Sequence, residues 1–136
     1  QFFLWHIYFK EVFDKGGFDI VIGNPPYVNI ANIKEKSYRD ELKKLFLITK
    51  NKCDLYAYFI EKSYSLLSQQ GILSFIIPET WKATDSFSLL RKLIIENHSI
   101  SQIVNLQIGV FGAIVIPMII IISFRIKYIL IYFFCI

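Results

Sequence analysis

One stretch constrains the fold more than any other. It is Phe18-Asp19-Ile20-Val21-Ile22-Gly23, followed at once by Asn24-Pro25-Pro26-Tyr27. Ile20-Val21-Ile22 is an unbroken β-branched run, which suits a strand covered on both faces, as in a parallel sheet. Pro25 and Pro26 have no N–H and a fixed φ, so ladder pairing must stop there. Asn24 precedes a proline and is pushed toward extended backbone. A buried strand therefore ends abruptly in a rigid turn at its carboxyl end, where open α/β sheets place their ligand crevice.

The rest of the chain reads as further strands and helices. Residues 1–15 are aromatic-rich and irregular, an upstream linker. Tyr38, Leu42, Leu45 and Phe46 fall on one face of a short amphipathic helix within residues 30–52. Asp54 is placed to cap a helix running to about Ser68, with Leu55, Phe59 and Leu66 along one stripe, joined by Tyr56, Ile60 and Leu67. Gln70-Gly71 supplies a stop. Ile72 to Ile77 reads as a second buried strand closed by Pro78. Ser86 is placed to cap a third helix with Phe87, Leu90, Leu93 and Ile94 on one face. Gln102–Leu106 and Ala113–Ser123 read as the last strands. Strands alternating with helices argue for an α/β layered sheet.

Composition narrows the class. With 136 residues, 54% hydrophobic and 19% charged, the chain has the length of one domain and the apolar content of a folded one. Cys53 and Cys135 show no paired spacing and no histidine cluster, so neither a zinc site nor a disulfide framework is indicated, in keeping with a reducing cytoplasm. The formal charge is +4. Residues 34–52 carry seven cationic side chains against three acidic ones, so the whole surplus sits just after the Pro-Pro turn. Such a run is either a solvated helix face or a surface for a polyanion. Residues 116–136 are nearly all apolar but are broken by Pro117, Arg125 and Lys127. Two charges near the middle of a span cost about 2.5–3.5 kcal/mol each at a helix centre, which argues against a membrane helix. A buried strand followed by a foreign or out-of-frame end, residues 124–136, is the plainer reading.

The chemistry lies in the turn. Asn24 offers a side-chain oxygen beside the Pro25 carbonyl, and Tyr27 adds a flat aromatic face. Two preorganised acceptors can hold both hydrogens of a planar –NH2 while its ring stacks on the tyrosine. An aromatic amine has its lone pair delocalised into the ring. Acceptors on both hydrogens draw the nitrogen toward tetrahedral geometry and free that pair for attack on a sulfonium methyl. As a bare tetrapeptide Asn-Pro-Pro-Tyr could equally be an ordinary turn; its place after a buried strand favours the chemical reading.

The run from Gly17 to Val28 closely resembles the catalytic motif of amino-directed DNA methyltransferases. Asp54-Leu55-Tyr56-Ala57-Tyr58-Phe59-Ile60-Glu61 is similar to the helix that follows the motif in restriction–modification adenine methyltransferases. Residues 70–78 resemble the next strand, and Thr80-Trp81 with Phe87-Ser88-Leu89-Leu90-Arg91 a later motif. Trp5-His6 and Phe9 fit the large bifunctional restriction–methylase members. The resemblance covers about residues 5–115. It implies an α/β fold, the C-terminal part of a Rossmann-like S-adenosylmethionine-dependent methyltransferase sheet, incomplete, with its catalytic portion over residues 16–123. It implies S-adenosylmethionine as methyl donor and double-stranded DNA as partner, with no membrane. In its terms, Asn24 and the Pro25 carbonyl accept from the target amino group, Tyr27 stacks on a flipped adenine, Phe87 packs against that base from another side, and Pro26, with Asn24, borders the donor. Phe87 is otherwise a core aromatic, and Asp19 a strand-end acid satisfied by nearby backbone. No Gly-x-Gly loop for the donor is present. In the family's order that loop and the ribose-binding acid would precede residue 1, and a target-recognition domain would follow. The resemblance thus suggests a fragment inactive on its own. Glutamine methyltransferases acting on release factors share the tetrapeptide, because a carboxamide too has a planar –NH2; the pattern after the loop favours DNA.

Overall fold

The computed structural model describes residues 3–50, 53–106 and 116–124. Its centre is a four-stranded sheet in the order β1-β2-β4-β3, with β1 at Phe18–Gly23, β2 at Leu67–Pro78, β3 at His98–Asn105 and β4 at Pro117–Phe124. β1 and β2 run parallel, with Val21 beside Leu73 and Gly23 beside Phe75. β4 is antiparallel to both β2 and β3. A parallel pair needs a crossover, and α3 (Lys36–Leu45) and α4 (Leu55–Tyr64) lie in the one between β1 and β2. α5 (Ser88–Asn97) joins β2 to β3.

One face of the sheet makes the core. Leu73, Phe75 and Ile77 of β2 alternate inward, as do Met118, Ile120 and Ile122 of β4. They form one buried cluster with Tyr56, Ile60, Trp81, Phe87, Leu90 and Ile94. The indole of Trp81 donates to the Met118 sulfur at 3.2 Å, which satisfies a buried N–H.

β1 departs from the expected strand covered on both faces. Val21 packs against the core, but Ile20 and Ile22 are 63% and 75% exposed. β1 lies at the edge of the described sheet, where it pairs with β2, and of its residues Phe18 and Val21 alone are partly buried. Residues 5–14, expected to be irregular, form two short helices, α1 (Trp5–Tyr8) and α2 (Lys10–Asp14). The rings of Trp5, of Phe9 between the two helices and of Phe13 meet Phe18 edge-on, with centroids 6.2, 5.3 and 5.6 Å away. Aromatic contacts organise a stretch that has no regular period.

Other boundaries also shift. α4 ends at Tyr64, and β2 begins at Leu67, so Gln70-Gly71 lies inside the strand rather than stopping a helix. On α4 the buried residues are Tyr56, Ala57, Tyr58, Ile60 and Ser63, while Phe59 of the expected stripe faces out. Asp54 has N-cap backbone angles but makes no side-chain cap bond. Ser86 falls within a 3-10 turn, Asp85–Phe87, and the residue at the N-cap of α5 is Phe87. On α3 only Leu42 is fully buried and Tyr38 and Leu45 are exposed, because the helix packs chiefly on the turn that follows it. β3 starts four residues before the expected Gln102, at His98. Of the expected strand 113–123, residues 113–115 lie outside the described residues, as do Cys135 and the tail beyond 124. Among the described residues no helix is long and apolar enough to cross a membrane, and no group of side chains could hold a metal ion. Cys53 is buried and free, and burial pushes its thiol up to about 11, as in an inert structural cysteine.

Glu61 of α4 fastens the crossover. Its carboxylate accepts from the backbone N–H of Leu47 at 2.7 Å and of Ile48 at 3.1 Å. Glu61→Ala leaves both donors without that acceptor and is expected to cost about 1–3 kcal/mol. A lowered midpoint in urea unfolding would show it.

Candidate active site

The carboxyl ends of β1 and β2 form one rim. The loop starting at Asn24 leaves β1 there, and the 3-10 turns Glu79–Lys82 and Asp85–Phe87 follow β2. The N-terminus of α4 reaches the same rim, because Leu55 N–H donates to the Val28 carbonyl at 2.8 Å and Ile30 N–H to the Cys53 carbonyl at 3.2 Å.

Within the loop the four residues divide their tasks. Pro25 is buried and seats the turn, whereas Asn24 and Pro26 are exposed. The Asn24 carboxamide is exposed and makes no hydrogen bond to any described residue, so none of these occupies its oxygen or amide. Tyr27 is half-buried, and its hydroxyl donates to the Ile76 carbonyl of β2 at 3.1 Å. That bond ties the loop to the neighbouring strand and fixes the ring. Burial raises the Tyr27 phenol above its ordinary value, so it stays protonated and keeps donating at neutral pH.

Behind Tyr27 stands an aromatic relay. Tyr27 meets Tyr56 edge-on at 6.4 Å, and Tyr56 stacks on Phe87 at 5.2 Å with 18° between planes. Tyr56 is wholly buried, and its hydroxyl lies 3.4 Å from the Thr80 hydroxyl. Burial pushes its phenol far up, so it is neutral. Phe87 is 3% exposed, with one face against Tyr56. The structure therefore keeps Asn24, Pro25, Pro26 and Tyr27 together on the rim and sets Phe87 one ring behind them, in the position of a core aromatic.

Several residues of this rim escaped the sequence reading. Tyr56 looked like one member of a helix stripe. Thr80 and Arg91 carried no signal beyond the motif resemblance. Arg91 donates from one nitrogen to the carbonyls of Trp81 at 2.7 Å and Thr84 at 2.8 Å, holding the turns after β2. Asp19 lies away from the rim. It is exposed, without a hydrogen bond to described backbone, in an open depression of about 480 Å³ shared with Lys15, Gly16, Ser68, Gln69 and Gln70.

Solved structures share this fold. A protein of Listeria monocytogenes assigned to the class I S-adenosylmethionine-dependent methyltransferases superposes with a TM-score of 0.65 at 22% identity, over 80% of this chain and 32% of that one. A modification subunit from Vibrio vulnificus assigned to a type I restriction enzyme gives 0.63 at 17% identity, over 84% and 24%. The fold is thus part of a Rossmann-like methyltransferase sheet. The model of the Eco57I restriction-modification methylase family matches residues 1–111, and the chain belongs to that family. The type II methyltransferase M.TthHB8I of Thermus thermophilus is 39% identical over 83 residues, 57% of this chain and 19% of that protein. M.BstVI of Geobacillus stearothermophilus is 33% identical over 107 residues, 79% and 18%. The restriction enzyme and methyltransferase RM.Eco57I of Escherichia coli is 30% identical over 90 residues, 65% and 9%. The chain spans about a fifth or less of the length of these relatives.

Proposed function

We propose that this chain supplies the target-base half of a methyl transfer from S-adenosylmethionine to the exocyclic amino group of an adenine flipped out of duplex DNA, as part of a restriction–modification system. The observation that carries this reading is the open Asn24 carboxamide on the carboxyl rim of β1, beside a tyrosine whose ring is fastened to β2.

The residues fit that task. Asn24 and the Pro25 carbonyl accept the two amino hydrogens and turn the nitrogen lone pair out of the ring. Prolines at 25 and 26 fix the backbone, so little reorganisation accompanies the reaction. Extruding a base costs a few kcal/mol, and stacking returns roughly 1–3 kcal/mol per base; Tyr27 offsets much of the extrusion. The buried placement of Phe87 gives it a supporting part behind Tyr56, and direct contact with the base would require its ring to turn out of that stack. S-adenosylmethionine supplies an electrophilic methyl group when bound. Asn24 and Pro26, both exposed, are the residues that would border it. The 136 residues contain no Gly-x-Gly loop, and among the described residues Asn24 and Pro26 are the wall that this reading gives the donor.

Methyl transfer by the full-length protein tests the reading. With labelled S-adenosylmethionine, the label is expected in N6-methyladenine of duplex DNA and not in a glutamine-bearing protein substrate. Label in the protein alone would overturn it.

The basic stretch extends the proposal to the DNA backbone. Lys34, Lys36, Lys43 and Lys44 are all exposed on or just before α3. Replacing Lys43 and Lys44 with glutamine is expected to reduce the slope of log affinity against log salt by roughly 2. An unchanged slope would place α3 away from the phosphates.

A further inference from the structure

We propose that Asn29 and Asp54 form a clamp that holds the Asn24–Tyr27 loop at its working height over β2, and that both act as positioning residues for the methyl transfer. The inference rests on the reading of that loop as the amino-group site.

The two residues form an isolated antiparallel bridge between the segment leaving the loop and the start of α4. The Asn29 side-chain amide donates to an Asp54 carboxylate oxygen at 2.9 Å, and the Asn29 side-chain oxygen accepts from Ala31 N–H at 3.0 Å. Backbone bonds flank the pair on both sides, from Leu55 to Val28 and from Ile30 to Cys53. Asp54 has the extended backbone of an N-cap, with φ −80° and ψ 156°, yet makes no cap bond. A carboxylate at that position ordinarily binds the first free N–H groups of its helix. Here it forgoes a stabilising cap and turns to the loop instead. Local rules are broken in this way where a site needs a geometry that the helix alone does not supply.

The consequence for the loop is geometric. Asn29 stands two residues past Tyr27. Tyr27 is held at its tip by the Ile76 carbonyl and along its edge by Tyr56, which sits two residues past Asp54. The amino terminus of α4 therefore grips both the ring and the outgoing backbone. Between the two grips the loop has no freedom to rise from the rim, and the Asn24 and Pro25 acceptors keep their place.

An exchange of the two side chains provides the test. In the full-length protein, Asn29→Asp removes the donor and sets two carboxylates against each other. Methyl transfer is expected to lose roughly 10–100-fold in kcat, the scale of a misplaced reacting group, with the KM for S-adenosylmethionine little changed. Adding Asp54→Asn restores a donor–acceptor pair of reversed sense: the carboxamide at position 54 donates to the carboxylate at position 29, which still accepts from Ala31. Activity is expected to return. 3-Fluorotyrosine introduced at position 27 gives a second readout independent of methyl transfer. Its resonance is expected to move in the single variant and return in the double. If Asn29→Asp does not fold, Asn29→Ala removes the donor without adding charge and is read by the same loss and the same shift. Wild-type kcat and an unmoved resonance in the folded single variant would overturn the clamp, as would a double variant that folds but recovers neither. A wild-type protein that methylates no adenine, while the resonance still moves and returns, would overturn the functional reading and leave the clamp standing.

Discussion

Asn24→Ala is expected to lower kcat for methyl transfer to DNA about 10²–10³-fold, the loss that follows removal of one preorganised polar group at a reacting centre. The substitution should cost little stability, because Asn24 is exposed and its carboxamide has no hydrogen bond to any described residue. That combination is what separates a chemical role from a structural one. The Pro25 carbonyl would remain, so the amino group would keep one acceptor and the nitrogen would stay largely planar. Asn24→Asp provides the sharper contrast. It keeps an oxygen at the same reach but replaces a neutral group with an anion beside the acceptor carbonyl, and it is expected to fall between the alanine variant and the wild type. In the proposed reading, base extrusion depends on Tyr27 rather than on Asn24. Fluorescence of 2-aminopurine at the target position should therefore rise on binding in all three proteins while single-turnover rates diverge. A single-turnover rate for Asn24→Ala within threefold of wild type would remove the loop from the chemistry.

The sequence disclosed the parts of this rim that are written locally. β1 runs over Phe18–Gly23, as its β-branched run and the two prolines demanded, because a missing N–H acts at its own position whatever surrounds it. From β1 onward the order of strands and helices was legible too, whereas the two short helices before it were not. Sheet pairing then overrode weaker local signals. Gly71 looked like a helix stop, yet it lies in β2 where a Cβ would stand 2.8 Å from the Phe18 carbonyl oxygen, so its lack of a side chain serves the approach of two strands. Asp54 looked like a cap, and its backbone is that of a cap, but its carboxylate is taken by an asparagine 25 positions away. Nothing in the spacing announces such a partner. The outward Ile20 and Ile22 show the same limit. A β-branched run records that a strand can be buried on two sides, whereas its actual burial depends on what lies beside it. For the loop, the residue types suggested a chemistry, whereas the supports lay outside it: Ile76, Tyr56 and Thr80 come from segments that only the sheet brings together.

The largest effect on stability is expected at Gly17, where two independent constraints meet. Its φ is +118°, in a region L side chains rarely adopt. A Cβ there would also lie 2.7 Å from the Leu66 carbonyl oxygen, 2.8 Å from the Leu67 carbonyl carbon and 2.8 Å from the Ser68 nitrogen. All three are backbone atoms of the chain entering β2, and they cannot swing aside as a flexible side chain would. The contact is part of the entry into the sheet, since Phe18 N–H donates to the same Leu66 carbonyl at 2.9 Å. Gly17→Ala must therefore strain its own backbone, at roughly 1–3 kcal/mol, and push β1 from β2, at roughly 1–3 kcal/mol more. Gly16 is the internal control. Its φ is +101°, but a Cβ there meets nothing within 4 Å, so Gly16→Ala bears only the backbone strain. Denaturant unfolding of the two variants against wild type separates the terms: their difference measures the closeness of the strands. Equal losses would mean that the start of β2 yields to the new methyl group. A greater loss at Gly17 is expected to reach the rim as well, because the pairing that begins at Phe18 and Leu67 is the one that ends with Gly23 beside Phe75 and presents Asn24 at the mouth.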